Sequence, residues 1–399
     1  MPSAAGCRYP LAAANLGREE RRALERTIRS GRLTLGPLVA GFERRFAERF
    51  GARYALLVNS GSSANLVGIA ALFFRRESPL RRGDEVIVPC IAWSTTYYPL
   101  LQYGLRLRFV DVDPETLTYD TAALAAAVGR RTRAIVAVNV LGNPCDFDPI
   151  LALCRRRNLI LFEDNCEALG ARYRGRWTGT FGLIGTCSTY FSHQLTTIEG
   201  GVILTDDYEI ACLARSLRSH GWTRDQERGS VIFEKSPDDF AEGYRFILPG
   251  YNVRGTELQA AVGLEQLAKF DALLAVRRRN AQVFRERFRD DERFALQRET
   301  GESSWFALTM IVRPGSGLTR GGVFRALRAA GIDFRMVTGG NFLRHDVIRH
   351  FQYEVASSRN ADLVHDHGFF VGNCAEDLTE QIDLLWRTLR RLRPRAGKA

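Results

Sequence analysis

From Tyr54 to about residue 206, short apolar runs alternate with stretches of helical spacing. Tyr54–Val58 is one such run; it ends in a Ser-Gly-Ser-Ser turn, and an apolar helix is predicted over 62–74. Further strands are predicted at 85–88, 107–110, 134–138, 159–162, 187–191 and 202–204, with helices between several of them, for example 148–156. This βαβ rhythm predicts a mostly parallel, seven-stranded sheet covered on both faces. Function in such sheets collects at the carboxyl ends of the strands.

Downstream, residues 257–288 contain no Pro and predict one long helix with a basic second half. A strand at 305–312, a helix at 322–330 and a closing helix at 378–392 then predict a smaller α+β domain. The boundary is placed near residue 275, giving 1–275 as N-terminal segment and large domain and 276–399 as the small one. Residues 219–250 are polar, contain Pro237 and Pro249, and read as a long loop. No internal repeat or low-complexity segment interrupts this plan.

Composition narrows the class. The 399 residues are 45% hydrophobic and 25% charged, as in folded two-domain proteins rather than disordered chains. No apolar run reaches the roughly 18 to 20 residues of a membrane helix, and residues 1–11 lack the pattern of a secretion signal. A cytoplasmic protein without membrane association is expected. The net charge is +11, but only Lys235, Lys269 and Lys398 are lysines, and the arginines are spread along the chain apart from the run at 387–395. Nucleic-acid binding is therefore not expected. Eight cysteines without a CxxC pair read as reduced thiols.

Three motifs carry chemistry. Asn59-Ser60-Gly61-Ser62-Ser63-Ala64-Asn65 is a strand-to-helix turn, suited to a phosphate through its N–H groups, hydroxyls and helix dipole, or to a plain Ser cap. Glu163-Asp164-Asn165-Cys166-Glu167 places acids just after an apolar strand. A buried carboxylate there needs a partner, either a protonated heterocycle nitrogen or an arginine. The third, Ser188 to Gly201, includes His193 and runs Glu199-Gly200-Gly201 into a strand.

Taken in order, with Trp93 after a strand, these motifs resemble the fold-type I pyridoxal-phosphate enzymes and, more closely, the DegT/DnrJ/StrS sugar aminotransferase family. Phe109-Val110-Asp111-Val112-Asp113 and Gly250-Tyr251-Asn252-Val253-Arg254-Gly255-Thr256-Glu257 match as well, and the resemblance spans about residues 25 to 385. It implies the aspartate-aminotransferase-like fold and a homodimer with shared sites. It also implies a phosphate held by Gly61, Ser62, Ser188 and the second subunit's Asn252. Trp93 would stack on the ring and Asp164 pair with the ring nitrogen, with Glu167 nearby.

One departure redirects the expected activity. His193 stands where the aminotransferases have the lysine that forms the internal Schiff base, and imidazole cannot form one but can move a proton. Lys235, Lys269 and Lys398 lie in the loop, the long helix and the chain end, so none replaces it. The same replacement marks the sugar 3-dehydratases of the family. These use a noncovalent cofactor, and some carry a [2Fe-2S] cluster on a Cys-x57-Cys-x-Cys-x7-Cys set. Cys166 fits the first place, but Arg224, Gln226 and Glu234 occupy the others, so no cluster is expected.

The resemblance thus implies a 3-dehydratase acting on a nucleotide-linked 4-keto-6-deoxy sugar, with GDP favoured. Glutamate would convert pyridoxal phosphate to pyridoxamine phosphate, His193 would be the base, and water and ammonia would be released. Arg254 is the candidate for the glutamate carboxylate; His220, Asn341 and Arg344 are candidates for sugar or diphosphate. His365 and His367, spaced like a metal pair on a strand, lack a third ligand, and no metal is expected. Two alternatives stay open: a lysine-independent aminotransferase, and an inactive cofactor-binding regulatory protein.

Overall fold

The computed structural model describes residues 6–13, 16–226 and 229–393. Met1, Lys398 and the last arginine of the basic run, Arg395, lie outside these. The strands are β1 (Tyr54–Val58), β2 (Glu85–Pro89), β3 (Arg106–Val110), β4 (Thr132–Val138), β5 (Ile160–Asp164), β6 (Arg172–Tyr173), β7 (Arg176–Trp177), β8 (Ile184–Ser188), β9 (Gly201–Thr205), β10 (Phe294–Leu296), β11 (Ala307–Val312), β12 (Phe334–Arg335), β13 (Tyr353–Val355) and β14 (Gly368–Gly372).

The large sheet has the order β1-β9-β8-β5-β4-β2-β3-β13. Only β9 runs against the others, pairing antiparallel with both β1 and β8. Every residue of β2, β8 and β9 is buried, so these strands show no alternation between covered and solvent-facing positions. Successive residues enter cores on opposite faces: Val86 and Val88 join one, Ile87 the other. Helix Gly61–Phe74 packs on the first face and helix Phe147–Arg157 on the second.

The seven expected strands are present, but the sheet has eight. The added strand, β13, comes from the C-terminal part and pairs parallel with β3. It was not legible because it is three exposed residues, held by Arg108–Glu354 and Arg131–Glu354 ion pairs at 2.6 and 2.8 Å rather than by an apolar pattern. Another correction shifts the strand expected at 187–191 to Ile184–Ser188. Gly185 hides it: a Cβ there would lie 1.9 Å from the Gly179 carbonyl oxygen, so close backbone packing requires glycine in the strand.

The long helix expected over 257–288 is two helices, Glu257–Ala268 and Phe270–Phe288, broken at Lys269 without Pro or Gly. Tertiary packing makes the break. Phe270 is fully buried, edge-on to Phe50 at 5.4 Å and against Gly170, where a Cβ would meet its ring at 2.8 Å. Lys269 pairs with Glu20 at 2.5 Å.

A second sheet, β10-β11-β14-β12, is antiparallel throughout. Helix Phe270–Phe288 spans both parts. Phe270 and Leu274 enter a core of the large sheet, whereas Ala281, Phe284 and Phe288 enter that of the small one. Tyr9 also belongs to the second core and donates to the Gly372 carbonyl at 2.8 Å. His365 and His367 lie in helix Arg359–His367, not on a strand as expected; β14 begins one residue later. Among the described residues no helix is long and apolar enough to cross a membrane.

Two glycines test this packing. Gly185→Ala should destabilise the protein by about 3 kcal/mol or more, because backbone rather than a flexible side chain blocks the methyl group. Gly41→Ala, inside helix Pro37–Phe50 with nothing within 4 Å of a Cβ, should stabilise by about 0.5 to 1 kcal/mol. Thermal melts at equal protein concentration read both.

Candidate active site

The carboxyl ends of β1, β2, β4, β5 and β8 share one edge of the large sheet, and the segments that follow them build the site. Asp164 closes β5 and is 4% exposed. Its Oδ2 accepts from Asn65 Nδ2 at 2.9 Å and Thr96 Oγ1 at 2.7 Å; its Oδ1 accepts from the Cys166 N–H at 3.1 Å. Asn65 Oδ1 in turn accepts from Thr186 Oγ1 at 2.6 Å, tying β8 into the network. No ion pair reaches Asp164 among the described residues. The arginine alternative is thereby removed, and a buried carboxylate open to a cationic partner is left.

Neighbouring Glu163 faces the opposite side of the sheet, as strand alternation requires. There it accepts from the Gly179 and Gly182 N–H groups at 2.7 and 2.6 Å, and burial pushes its carboxyl up to about 7. Glu167 is half-buried and accepts from the Leu141 N–H at 2.9 Å and Thr338 Oγ1 at 3.3 Å. Burial raises it to about 7 as well, and the Asp164 charge adds to the shift. Leu141 (φ 52°) and Thr338 (φ 45°) both sit in the left-handed region, so Glu167 holds two strained residues in place.

Ser60 caps helix Gly61–Phe74 by accepting from the Ser63 N–H at 3.1 Å. Gly61 touches the end of β8: a Cβ there would come within 2.7 Å of Ser188 Cβ and 3.0 Å of Cys166 Sγ. Ser62 donates to Thr95 Oγ1 at 2.8 Å. Trp93, the N-cap of helix Ser94–Gln102, leaves 56% of its surface exposed, open for a ring to stack on. Gly61, Ser62, Ser188, Trp93, Asp164 and Glu167 thus all gather at one edge of the sheet.

His193 lies in the turn after β8, its N–H bonded to the Tyr190 carbonyl at 3.0 Å. Its ring packs edge-on against Phe306 at 4.9 Å and Tyr190 at 5.8 Å. Nδ1 is buried without a hydrogen-bond partner, which leaves Nε2 as the nitrogen available to a reacting group. Burial, with the Arg277 guanidinium behind the turn, pushes its pKa down to about 3 and keeps the imidazole neutral at working pH. Neither described lysine replaces an amine here: Lys269 pairs with Glu20, and Lys235 donates to the Gln226 carbonyl at 3.3 Å.

The remaining candidates fall into two groups. Arg254 and His220 meet around Trp222, with the guanidinium 5.5 Å and the imidazole 4.9 Å from its ring. Asn252 is exposed and bridged to Ser219, while the next residue's carbonyl accepts from the Asn59 N–H at 2.9 Å. Asn341 is 1% exposed and structurally committed. It bridges Ile91, caps Leu343, donates to Asp362 at 3.1 Å and gives its own N–H to His365 Nδ1 at 3.2 Å. Arg344 is half-exposed and pairs with Asp362 and Asp366. Arg224 and Gln226, at two of the cluster positions, serve the loop: one stacks on Trp222, the other donates to the Cys212 carbonyl.

Sequence reasoning missed Thr96, Thr186, Phe306 and Arg277, and quoted Asn65 without giving it a task. Thr96 and Asn65 lie inside or beside motifs that were read; nothing in the sequence separates Arg277 from the many other arginines. Pyridoxal phosphate fits the arrangement. The buried carboxylate answers a protonated ring nitrogen, the tight Gly61–Ser188 approach and serine-rich helix start answer a phosphate, and Trp93 offers a flat face.

Comparison with known proteins finds relatives along nearly the whole chain. GDP-4-keto-6-deoxy-D-mannose 3-dehydratase of Yersinia pseudotuberculosis is 45% identical over 386 residues, covering 96% of this chain and 98% of that one. A solved GDP-4-keto-6-deoxymannose-3-dehydratase with a trapped PLP-glutamate geminal diamine superposes with a TM-score of 0.94 at 45% identity, covering 96% of this chain and all of the other. A mutant of such an enzyme with bound GDP-perosamine gives 0.94 at 46% identity, with the same coverage. The family model for the DegT/DnrJ/EryC1/StrS aminotransferases matches residues 14–382, and the chain belongs to that family.

Proposed function

We propose that this protein is a pyridoxal-phosphate-dependent 3-dehydratase that removes the C3 hydroxyl of a nucleotide-linked 4-keto-6-deoxyhexose, with GDP the favoured nucleotide and glutamate the co-substrate. The observation that carries the reading is His193: a half-buried, neutral imidazole in the place of the family's lysine, within an otherwise complete cofactor site. The net reaction balances as ketosugar plus glutamate giving 3-deoxy ketosugar, 2-oxoglutarate and ammonia, with two electrons from glutamate reducing C3. We place it in the cytoplasm, as a homodimer, in deoxysugar biosynthesis.

When bound, pyridoxal phosphate supplies the electron sink and carries the glutamate nitrogen. Gly61, Ser62 and Ser188 hold its phosphate, and Asn252 does so from the second subunit. Trp93 covers the ring face. Asp164, already oriented by Asn65 and Thr96, keeps the ring nitrogen protonated through a charge-assisted bond of about 1.5 to 3 kcal/mol. His193 takes and returns the proton at Nε2; lacking a primary amine, it leaves the cofactor noncovalent. Arg254 receives the glutamate carboxylate, and His220 and Arg344 face the sugar nucleotide, with Asn341 shaping the segment that carries Arg344.

His193→Asn should keep cofactor binding and lower dehydration about 10² to 10⁴-fold, the usual worth of a positioned base. Borohydride should fix no cofactor to the native chain but should fix it to His193→Lys, whose dehydration falls. An adduct on Lys235 or Lys269 of the native protein, or native-rate dehydration by His193→Asn, overturns the assignment. Ammonia release from glutamate and a 4-keto-6-deoxy sugar nucleotide separates dehydration from transamination, which retains the nitrogen in the product.

The shared site has its own test. Neither Asn252→Ala nor His193→Asn should turn over at the native rate alone. If each Asn252 serves the opposite subunit, a re-equilibrated mixture contains dimers with one intact site and recovers about a quarter of native activity. No recovery in dimers shown to have exchanged places Asn252 in its own subunit's site.

A further inference from the structure

We propose that Arg277 is the positioning residue for His193, clamping the turn that carries the imidazole to the small sheet without touching the reacting atoms. The proposal rests on the reading of His193 as the base and adds the means by which that base is aimed.

Arg277, in helix Phe270–Phe288, is 1% exposed. Its guanidinium donates to four backbone carbonyls on three segments of the chain. One terminal nitrogen reaches Ser192 at 3.1 Å and His193 at 3.0 Å; the other reaches Asn373 at 2.6 Å and Phe306 at 3.3 Å. Asn373 returns the contact by donating to the Arg277 carbonyl at 3.1 Å. Only a planar fork with several fixed N–H groups serves that many acceptors at once; a lysine ammonium does not.

The location is costly. A buried cation with carbonyl acceptors, and no carboxylate paired to it among the described residues, carries a large desolvation penalty. A purely structural contact between the two sheets is served more cheaply by an apolar side chain. What this cation secures is the peptide of His193, whose ring has no orienting side chain of its own because Nδ1 is unpartnered. The ring is steered instead by its backbone and by the edge of Phe306, and Arg277 holds both.

Charge acts in the same direction. The ring's neighbours are Tyr190 from its own turn, Phe306 from the entrance to β11, and Arg277. Among the described residues, Glu167 meets the turn through its backbone carbonyl, which accepts from the Gln194 amide at 2.8 Å, while its carboxylate is held by Leu141 and Thr338. Burial opposes an imidazolium here, and the guanidinium opposes it further.

The test is a double-mutant cycle on the holoenzyme with Arg277→Lys, Arg277→Met and His193→Asn, combined with ¹⁵N spectra of the six histidine rings. In the native background both Arg277 variants should retain cofactor and hold KM for the ketosugar within about threefold, while kcat falls about 10²-fold. Lysine should not rescue, because the fork and not the charge alone is needed. In the His193→Asn background the same substitutions should cost nothing further. The His193 resonances, identified by their loss in His193→Asn, should report one neutral ring in the native protein and exchange broadening in both Arg277 variants.

Losses that multiply in the two backgrounds, or an unchanged His193 spectrum, overturn the proposal and leave Arg277 a structural residue. Should the Arg277 variants fail to fold, Asn373→Ala reads the same point: it removes the amide that donates to the Arg277 carbonyl, loosens the clamp, and should show the same kcat-only, non-additive loss. A native protein that does not dehydrate any ketosugar defeats the functional reading, whereas the ring spectra still decide the role of Arg277.

Discussion

Asp164 is the group around which the site is organised. A carboxylate at the end of a buried strand has to be satisfied, and here that need draws together an asparagine from helix Gly61–Phe74, a threonine from the helix after β2 and a backbone N–H from its own turn. The asparagine is itself fixed by Thr186 of β8. Strand positions on one sheet are thereby coupled to the two helix starts that frame the ligand space. With no cation paired to it among the described residues, the carboxylate stays open to a positive partner, the place we propose for the ring nitrogen of the cofactor.

Much of this was legible in the chain. Apolar runs fully buried on both faces gave the parallel strands, and acids directly after such a run marked the edge where function collects. Alternation then distinguishes Glu163 from Asp164, since adjacent residues face opposite sides and only one faces the site. The lysine-to-histidine exchange was legible because the surrounding motif was intact. What escaped was set by tertiary contact. Gly185 disguised the true extent of β8, Phe270 broke a helix whose local pattern was continuous, and β13 is too short and exposed to carry a pattern. Arg277 gave no signal at all, since its role depends on three carbonyl-bearing segments far apart in sequence.

His193 and Asp164 sit in opposite polar surroundings. The carboxylate is surrounded by donors that favour its oxygen atoms' lone pairs, while the imidazole is deprived of polar partners and packed against aromatic edges. The carboxylate is left open to a positive partner, whereas burial keeps the imidazole uncharged.

The strand β13 alters what kind of movement the molecule permits. A lid that swings needs a border crossed by few main-chain bonds. Here the border carries the β13–β3 ladder, the Ile91–Asn341 bridge, the unbroken helix Phe270–Phe288 and the Arg277 clamp. A hinge would have to break these together. The two parts are therefore tied across their whole border, so that movement of one against the other is opposed by main-chain ladder, helix and buried hydrogen bonds at once.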